Sequence, residues 1–163
     1  MSYDKFIQSR TIAKFDQIAS GQANFPNFFL SSFINFETDG YLVGVHFMHA
    51  HNSDSVGAGS LDTFRPSGAM IAKVSGDAIT LPAGGNTTNF SGAQILLCHL
   101  AMPSSDGASS LESDSRQTTI SYDADSKRIP IKSDDKLGVY LCGNGSATAI
   151  NFNYTLTAYF VRV

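Results

Sequence analysis

The sequence predicts an all-β fold, a single-domain antiparallel β-sandwich of jelly-roll type with about eight to nine strands. Three observations predict it. Short apolar runs recur along the whole chain, separated by Gly, Pro, Asn, Asp and Ser clusters, with no convincing interior helix. The stretch Thr148 to Val161 alternates strictly: Ile150, Phe152, Tyr154, Leu156, Ala158 and Phe160 fall on one face, a period of two that only a strand provides. Charged residues are 15% of the chain, against about 25% in ordinary globular domains. At 163 residues the length suits one domain, large enough to bury about two-thirds of its unfolded surface.

Taken in order, residues 1–24 mix charge with scattered apolar positions and read as an N-terminal arm or a short amphipathic helix through Phe6, Ile7, Ile12, Phe15 and Ile18. Residues 25–163 form the sandwich. FPNFFLSSFINF (25–36) and YLVGVHFMHAH (41–51) read as a hairpin about the turn Glu37-Thr38-Asp39-Gly40. Residues 52–67 are a loop by composition. AMIAKV and AITL follow as strands. AQILLCHL (93–100) is apolar on both faces and reads as a central strand covered on both sides. After a loop over MPSSDGASSLESDSRQ come TTISYD, a turn at residues 124–127, RIPIK, and the terminal pair KLGVYLC and TAINFNYTLTAYFV.

Charge is unevenly placed. Residues 106–136 hold twelve of the 25 charged side chains, whereas 17–36, 78–105 and 137–161 hold none. A strand facing open water usually carries charge on its outer side. The second face of the last strand carries Asn151, Asn153, Thr155, Thr157 and Tyr159 instead. Subunit interfaces deplete charge in this way, so these residues are the predicted oligomer interface.

The sequence offers little catalytic chemistry. There is no Gly-x-Ser-x-Gly elbow and no phosphate loop. A net charge of −3 does not favour a nucleic-acid grip, and no apolar run is long enough for a membrane span. Charges in MSYDKFIQSR disfavour a signal peptide. Cys98 and Cys142 read as buried free thiols. His49 and His51 point the same way on a strand, and an H-x-H pair can chelate a metal. This pair, with the Gly76 to Gly84 stretch, resembles the first two motifs of the cupins, metal-binding jelly rolls. The match departs from theirs: no Glu follows His51, and no His follows Gly84 closely. No cofactor is expected, and the chain is not expected to be an enzyme.

Arg128-Ile129-Pro130-Ile131-Lys132-Ser133-Asp134-Asp135-Lys136-Leu137-Gly138-Val139-Tyr140, followed by the long terminal strand, resembles the single jelly roll of viral and phage virion proteins and of trimeric modules of the tumour-necrosis-factor type. The resemblance implies a non-enzymatic virion structural protein: a capsid, penton, decoration or spike-type subunit. Its partners would be copies of itself, a trimer being favoured, and other virion proteins. The alternatives are a carbohydrate- or receptor-binding sandwich, with a host receptor or glycan at the loop tip Asp62, Phe64 and Arg65, and a degenerate cupin-like metal protein.

Overall fold

A computed structural model describes residues 6–19, 25–54, 66–75, 86–87, 93–101, 111–122, 127–143 and 149–163. The predicted loop tip Asp62, Phe64 and Arg65 and the segment AITL lie outside these residues. The described chain forms ten strands: β1 (Ile7–Ile18), β2 (Phe28–Asn35), β3 (Gly40–Asp54), β4 (Ser67–Val74), β5 (Asn86–Thr87), β6 (Ala93–Ala101), β7 (Leu111–Ser121), β8 (Ile129–Ile131), β9 (Lys136–Cys142) and β10 (Ile150–Arg162).

The antiparallel pairs are nested. β1 pairs with β10, β2 with β9, β3 with β7, and β4 with β6, so the first half of the chain runs back along the second. Winding that double ribbon brings β10 beside β3 and β9 beside β4. Two sheets result, β1-β10-β3-β7 with β8 on the free end of β3, and β5-β2-β9-β4-β6. This nested winding is the jelly roll, the predicted fold class.

The core lies between the sheets. The predicted inner face of β10 is buried throughout, Ile150 to Phe160 at 3% exposure or less. It packs on Phe36, Leu42, Val45 and Phe47 and, across the gap, on Ile71, Leu137, Val139 and Leu141. A second cluster, with Phe28, Leu30, Met70, Tyr140 and Cys142, occupies the far side of the second sheet. Strands β4 and β9 are therefore covered on both faces, which explains their nearly unbroken apolar sequence.

Several expectations change. Residues 7–18 form neither a helix nor a detached arm; they pair along their whole length with β10. The two arms of the expected 25–51 hairpin do not pair, because β2 and β3 belong to opposite sheets. Glu37, with φ 59°, sits in the connection between them. β6 is an edge strand, not a central one, with Ile95 52% exposed. The polar stretch LESDSRQ, read as loop, is the first part of β7, where only one side faces the interior. Two glycines are required by close approach. A Cβ at Gly40 would lie 2.0 Å from the Val161 carbonyl oxygen, and one at Gly68 would lie 1.9 Å from that of His99.

Candidate functional site: an uncharged outer face and an interior histidine cluster

The register of the first sheet extends the sequence expectation from one strand to four. Beside Asn151, Asn153, Thr155, Thr157 and Tyr159 of β10 lie Gln17, Phe15, Ala13, Thr11 and Ser9 of β1. On the other side lie Asn52, Ala50, Met48, His46 and Gly44 of β3, and next to these Ser115, Gln117, Thr119 and Ser121 of β7. No Asp, Glu, Lys or Arg occurs among these side chains. All those of β1 are exposed, as are Asn153, Tyr159, Met48, Ala50 and the four of β7.

The strands do not simply lack charge. β1 carries Arg10, Lys14 and Asp16, all on its other side, turned toward the edge of the second sheet. Arg10 donates to the Asn35 carbonyl and to Glu37 at 2.8 Å. Lys14 donates to Asp16 at 2.8 Å and to the Ser31 carbonyl at 2.6 Å. Ser31 Oγ donates to Asp16 and shares a contact of 2.6 Å with the Tyr154 hydroxyl. Burial pushes the Asp16 carboxyl up, but hydrogen bonds from Lys14, Ser31 and the Gln17 amide, with the Lys14 charge, outweigh it and hold the group below the usual carboxylate range. On β7, Arg116 alternates with Ser115 and Gln117, and all three are exposed.

The outer face is knitted by neutral cross-strand hydrogen bonds: Thr11 to Thr157 at 2.9 Å, Gln17 to Asn151 at 2.8 Å and His46 to Thr119 at 2.8 Å. It is also apolar in places. Phe15 is 60% exposed, Met48 45% and Tyr159 38%. A cavity of about 690 Å3 lies over Ala13, Phe15, Met48, Ala50, Gln117, Asn153 and Thr155, and Lys14 and Arg116 also line it.

The histidines of β3 that share the inner side take a different role from the one their spacing suggested. His49 and His51 are each 2% exposed and His99 of β6 is 8% exposed. The rings form a stack: Phe47 to His49 at 5.5 Å, His49 to His51 at 5.4 Å and His51 to Phe152 at 4.7 Å between centroids. His99 lies against His49 at 5.3 Å. Nothing in the sequence places His99 there, since it comes from the opposite sheet. His51 Nε2 is 2.9 Å from Ser67 Oγ, and His99 Nε2 is 2.8 Å from Thr118 Oγ1. The His49 and His51 planes meet at only 20°. Imidazole lone pairs lie in the ring plane, so rings stacked like this direct them side by side rather than toward one ion. Among the described residues no group of three His, Cys, Asp or Glu side chains is arranged to hold a metal ion.

A third feature escaped the sequence reading. Asp135, in the Asp-Asp turn between β8 and β9, is 2% exposed. It accepts from Lys73 Nζ at 3.0 Å and from the Lys132 amide at 2.9 Å. Its position four residues after the Ile-Pro-Ile strand β8 carries no signal of burial.

No protein-family model matches the chain, and no curated protein matches it. Among solved structures, the chain is similar to that of infectious bursal disease virus, Gx strain, with 10% identity over 96% of this chain and a TM-score of 0.43. It spans 32% of that protein's length. It is also similar to the decameric BFDV capsid protein, with 12% identity, 96% of this chain, 100% of that one and a TM-score of 0.38. The 60-mer BFDV capsid protein gives 13% identity, 99% and 96% coverage, and a TM-score of 0.33. The fold rests on the strand order above.

Proposed function

We propose that this chain is a non-enzymatic structural subunit of a virion, assembling with copies of itself through the outer face of the β1-β10-β3-β7 sheet. The observation that carries the reading is the sorting of charge within β1, where Arg10, Lys14 and Asp16 all lie on the side opposite Ser9, Thr11, Ala13, Phe15 and Gln17. An interface between copies sets a surface against itself, so any ion it holds is doubled across the contact. A face with no ionised side chain avoids that repulsion and the cost of desolvating a charge. Four strands about 4.8 Å apart and about nine residues long at 3.4 Å each give a face of roughly 19 by 30 Å. Two such faces approach the lower end of a standard interface, about 1,200 Å2 in total. The virion setting is supported by the viral jelly-roll resemblance carried by residues 128–140 and 148–161, which also makes a trimer the favoured copy number.

Light scattering at micromolar concentration tests this. The chain should be a stable homo-oligomer, and Thr155→Lys or Asn153→Glu should dissociate it with the fold retained. Surface substitutions of this kind change monomer stability by about 0.5 kcal/mol or less. Burying the same charge unpaired costs about 2 kcal/mol or more, at least thirtyfold in affinity. A monodisperse wild-type monomer would sink the proposal.

A second reading is favoured by one observation: the Phe15 ring stands 60% exposed with Asn153 opposite it on β10, in a cavity whose far side reaches Gln117 of β7. An aromatic platform flanked by amides suits a sugar ring and its hydroxyls. A glycan array separates the two, since a purely structural subunit gives no selective binding and a receptor-binding one loses it with Phe15→Ala.

A further inference from the structure

We propose that β6 pairs antiparallel with β6 of a second copy, joining the second sheets of two chains across a two-fold axis. Among the described residues β6 ends its sheet, with β4 on one side and no strand on the other. Eight of its nine residues keep some exposure and His99 alone is buried, whereas β4 and β9 are buried almost throughout. Ile95 is 52% exposed, and Gln94 and Cys98 are exposed as well. The strand AQILLCHLA contains no charge and no proline, and residues 78–105 hold no charge at all. The other sheet edges carry the devices that keep strands of different molecules apart. β1 holds Arg10, Lys14 and Asp16, and β7 holds the exposed Arg116. The edge of β2 is capped by the two-residue β5 and, further along, by Arg10 and Lys14, which donate to the Asn35 and Ser31 carbonyls. β6 has one such device, an irregularity at Leu96, where the register with β4 passes from Leu97 to Ile95. Beyond it Leu97 to Ala101 runs in regular register.

A second copy of the same strand is the occupant that this edge suits. Self-pairing sets each residue against its own kind, and a strand without ions meets no repulsion there. Cys98 lies across from Met70, so it faces the side of the sheet that carries the second apolar cluster. Ile95 and Cys98 would gain apolar neighbours from the other chain on that side, while the backbones supply the ladder. Two identical antiparallel strands close one another, leaving no edge for a third copy, so the product is a dimer and not a fibre. Five regular residues at 3.4 Å each give a ladder of roughly 17 Å. That is short of a standard interface, so the pair forms at higher concentration than the face contact. The edge belongs to the second sheet and does not depend on the assembly reading. Where both contacts form, edge pairs would link face-joined oligomers into a shell or lattice, a consequence that does rest on that reading.

The test uses the full chain as wild type and as Thr155→Lys, which lacks the face contact, so the two contacts are read separately. Sedimentation of Thr155→Lys up to near-millimolar concentration should show a monomer–dimer equilibrium. Adding Ile95→Lys should weaken that dimer roughly thirtyfold or more. Gln94→Lys, also at an exposed position, is the second variant should the first not fold. Side chains opposed or diagonal across an antiparallel pair lie roughly 5 to 8 Å apart. A bis-maleimide of slightly longer reach should therefore link two Thr155→Lys chains through Cys98, and should link none once Cys98→Ser is added. Amide exchange over residues 93–101 should slow as concentration rises, in the folded chain and without any substitution on β6. A Thr155→Lys chain that stays monomeric, with exchange over 93–101 independent of concentration, would overturn the proposal. So would a dimer that survives a folded lysine variant of β6, or association that runs on past the dimer. A wild type that forms this dimer and nothing larger would sink the face reading and leave the edge pair standing.

Discussion

Asp135 is an acid that the fold takes out of water and then supplies with every partner it needs. Lys73 Nζ and the Lys132 amide both donate to its Oδ2, and the side chains of the pair are 14% and 3% exposed. Its backbone is tied as well, accepting from Phe36 and donating to the Lys132 carbonyl. Removing one partner leaves the other buried and uncompensated, which costs about 3–5 kcal/mol. Asp135→Ala should therefore lower the urea midpoint far more than any single change on the outer face, whereas the double variant Lys73→Met with Asp135→Leu should recover part of the loss. The two thiols make a second contrast. Burial, with the neighbouring Cys98, pushes the Cys142 thiol up to about 12, despite a hydrogen bond with the Gly68 backbone. Partial burial also pushes Cys98 up, but that side chain is exposed. Iodoacetamide at pH 8 should modify Cys98 slowly and leave Cys142 intact until the protein is unfolded, a result that mass spectrometry of digested protein reads directly. Burial of an acid at a turn is invisible in sequence because it depends on Lys73, more than sixty residues away.

Among the elements, those set by local pattern are legible in the sequence and those set by distant pairing are not. The alternation of β10 needs no partner to be seen, and its inner face is buried residue for residue. β1 was obscured because its inward side holds Arg10, Lys14 and Asp16, which reach the rim of the other sheet, while Phe15 points outward. That inversion defeats a reading in which apolar means inside. β6 erred in the opposite sense: its apolar residues are shared between the core and an exposed edge. The consequence for β1 is testable. Its twelve residues cover one whole side of β10, from Ile18 opposite Ile150 to Ile7 opposite Val161. Deleting residues 1–18 would expose a long uncharged strand edge, the template for edge-to-edge aggregation. The truncated chain should precipitate or form large aggregates on size exclusion; a soluble, folded product would mean that the segment is a dispensable arm.

On the scale of the whole molecule, the jelly roll separates two tasks by putting them on opposite sides of one sheet. The inner side of β3 and β10 holds the core and the histidine stack; the outer side offers a neutral, partly apolar surface. Charge is concentrated in residues 106–136, which carry twelve of the chain's 25 ions, and is absent from 137–161. That division predicts how association responds to salt. An interface held by ion pairs weakens as the Debye length shrinks from about 14 Å at 50 mM to about 4 Å at 500 mM. One built from Thr, Asn, Gln, Phe15 and Met48 contains nothing for salt to screen, and the net charge of −3 on each copy supplies a repulsion that salt reduces. The dissociation constant should therefore stay level or fall across that range in sodium chloride, and fall further in sulfate, which strengthens apolar burial. Dilution series by light scattering at the two salt concentrations give the sign. An affinity that drops tenfold or more with salt would move the contact off this face and onto the charged segments.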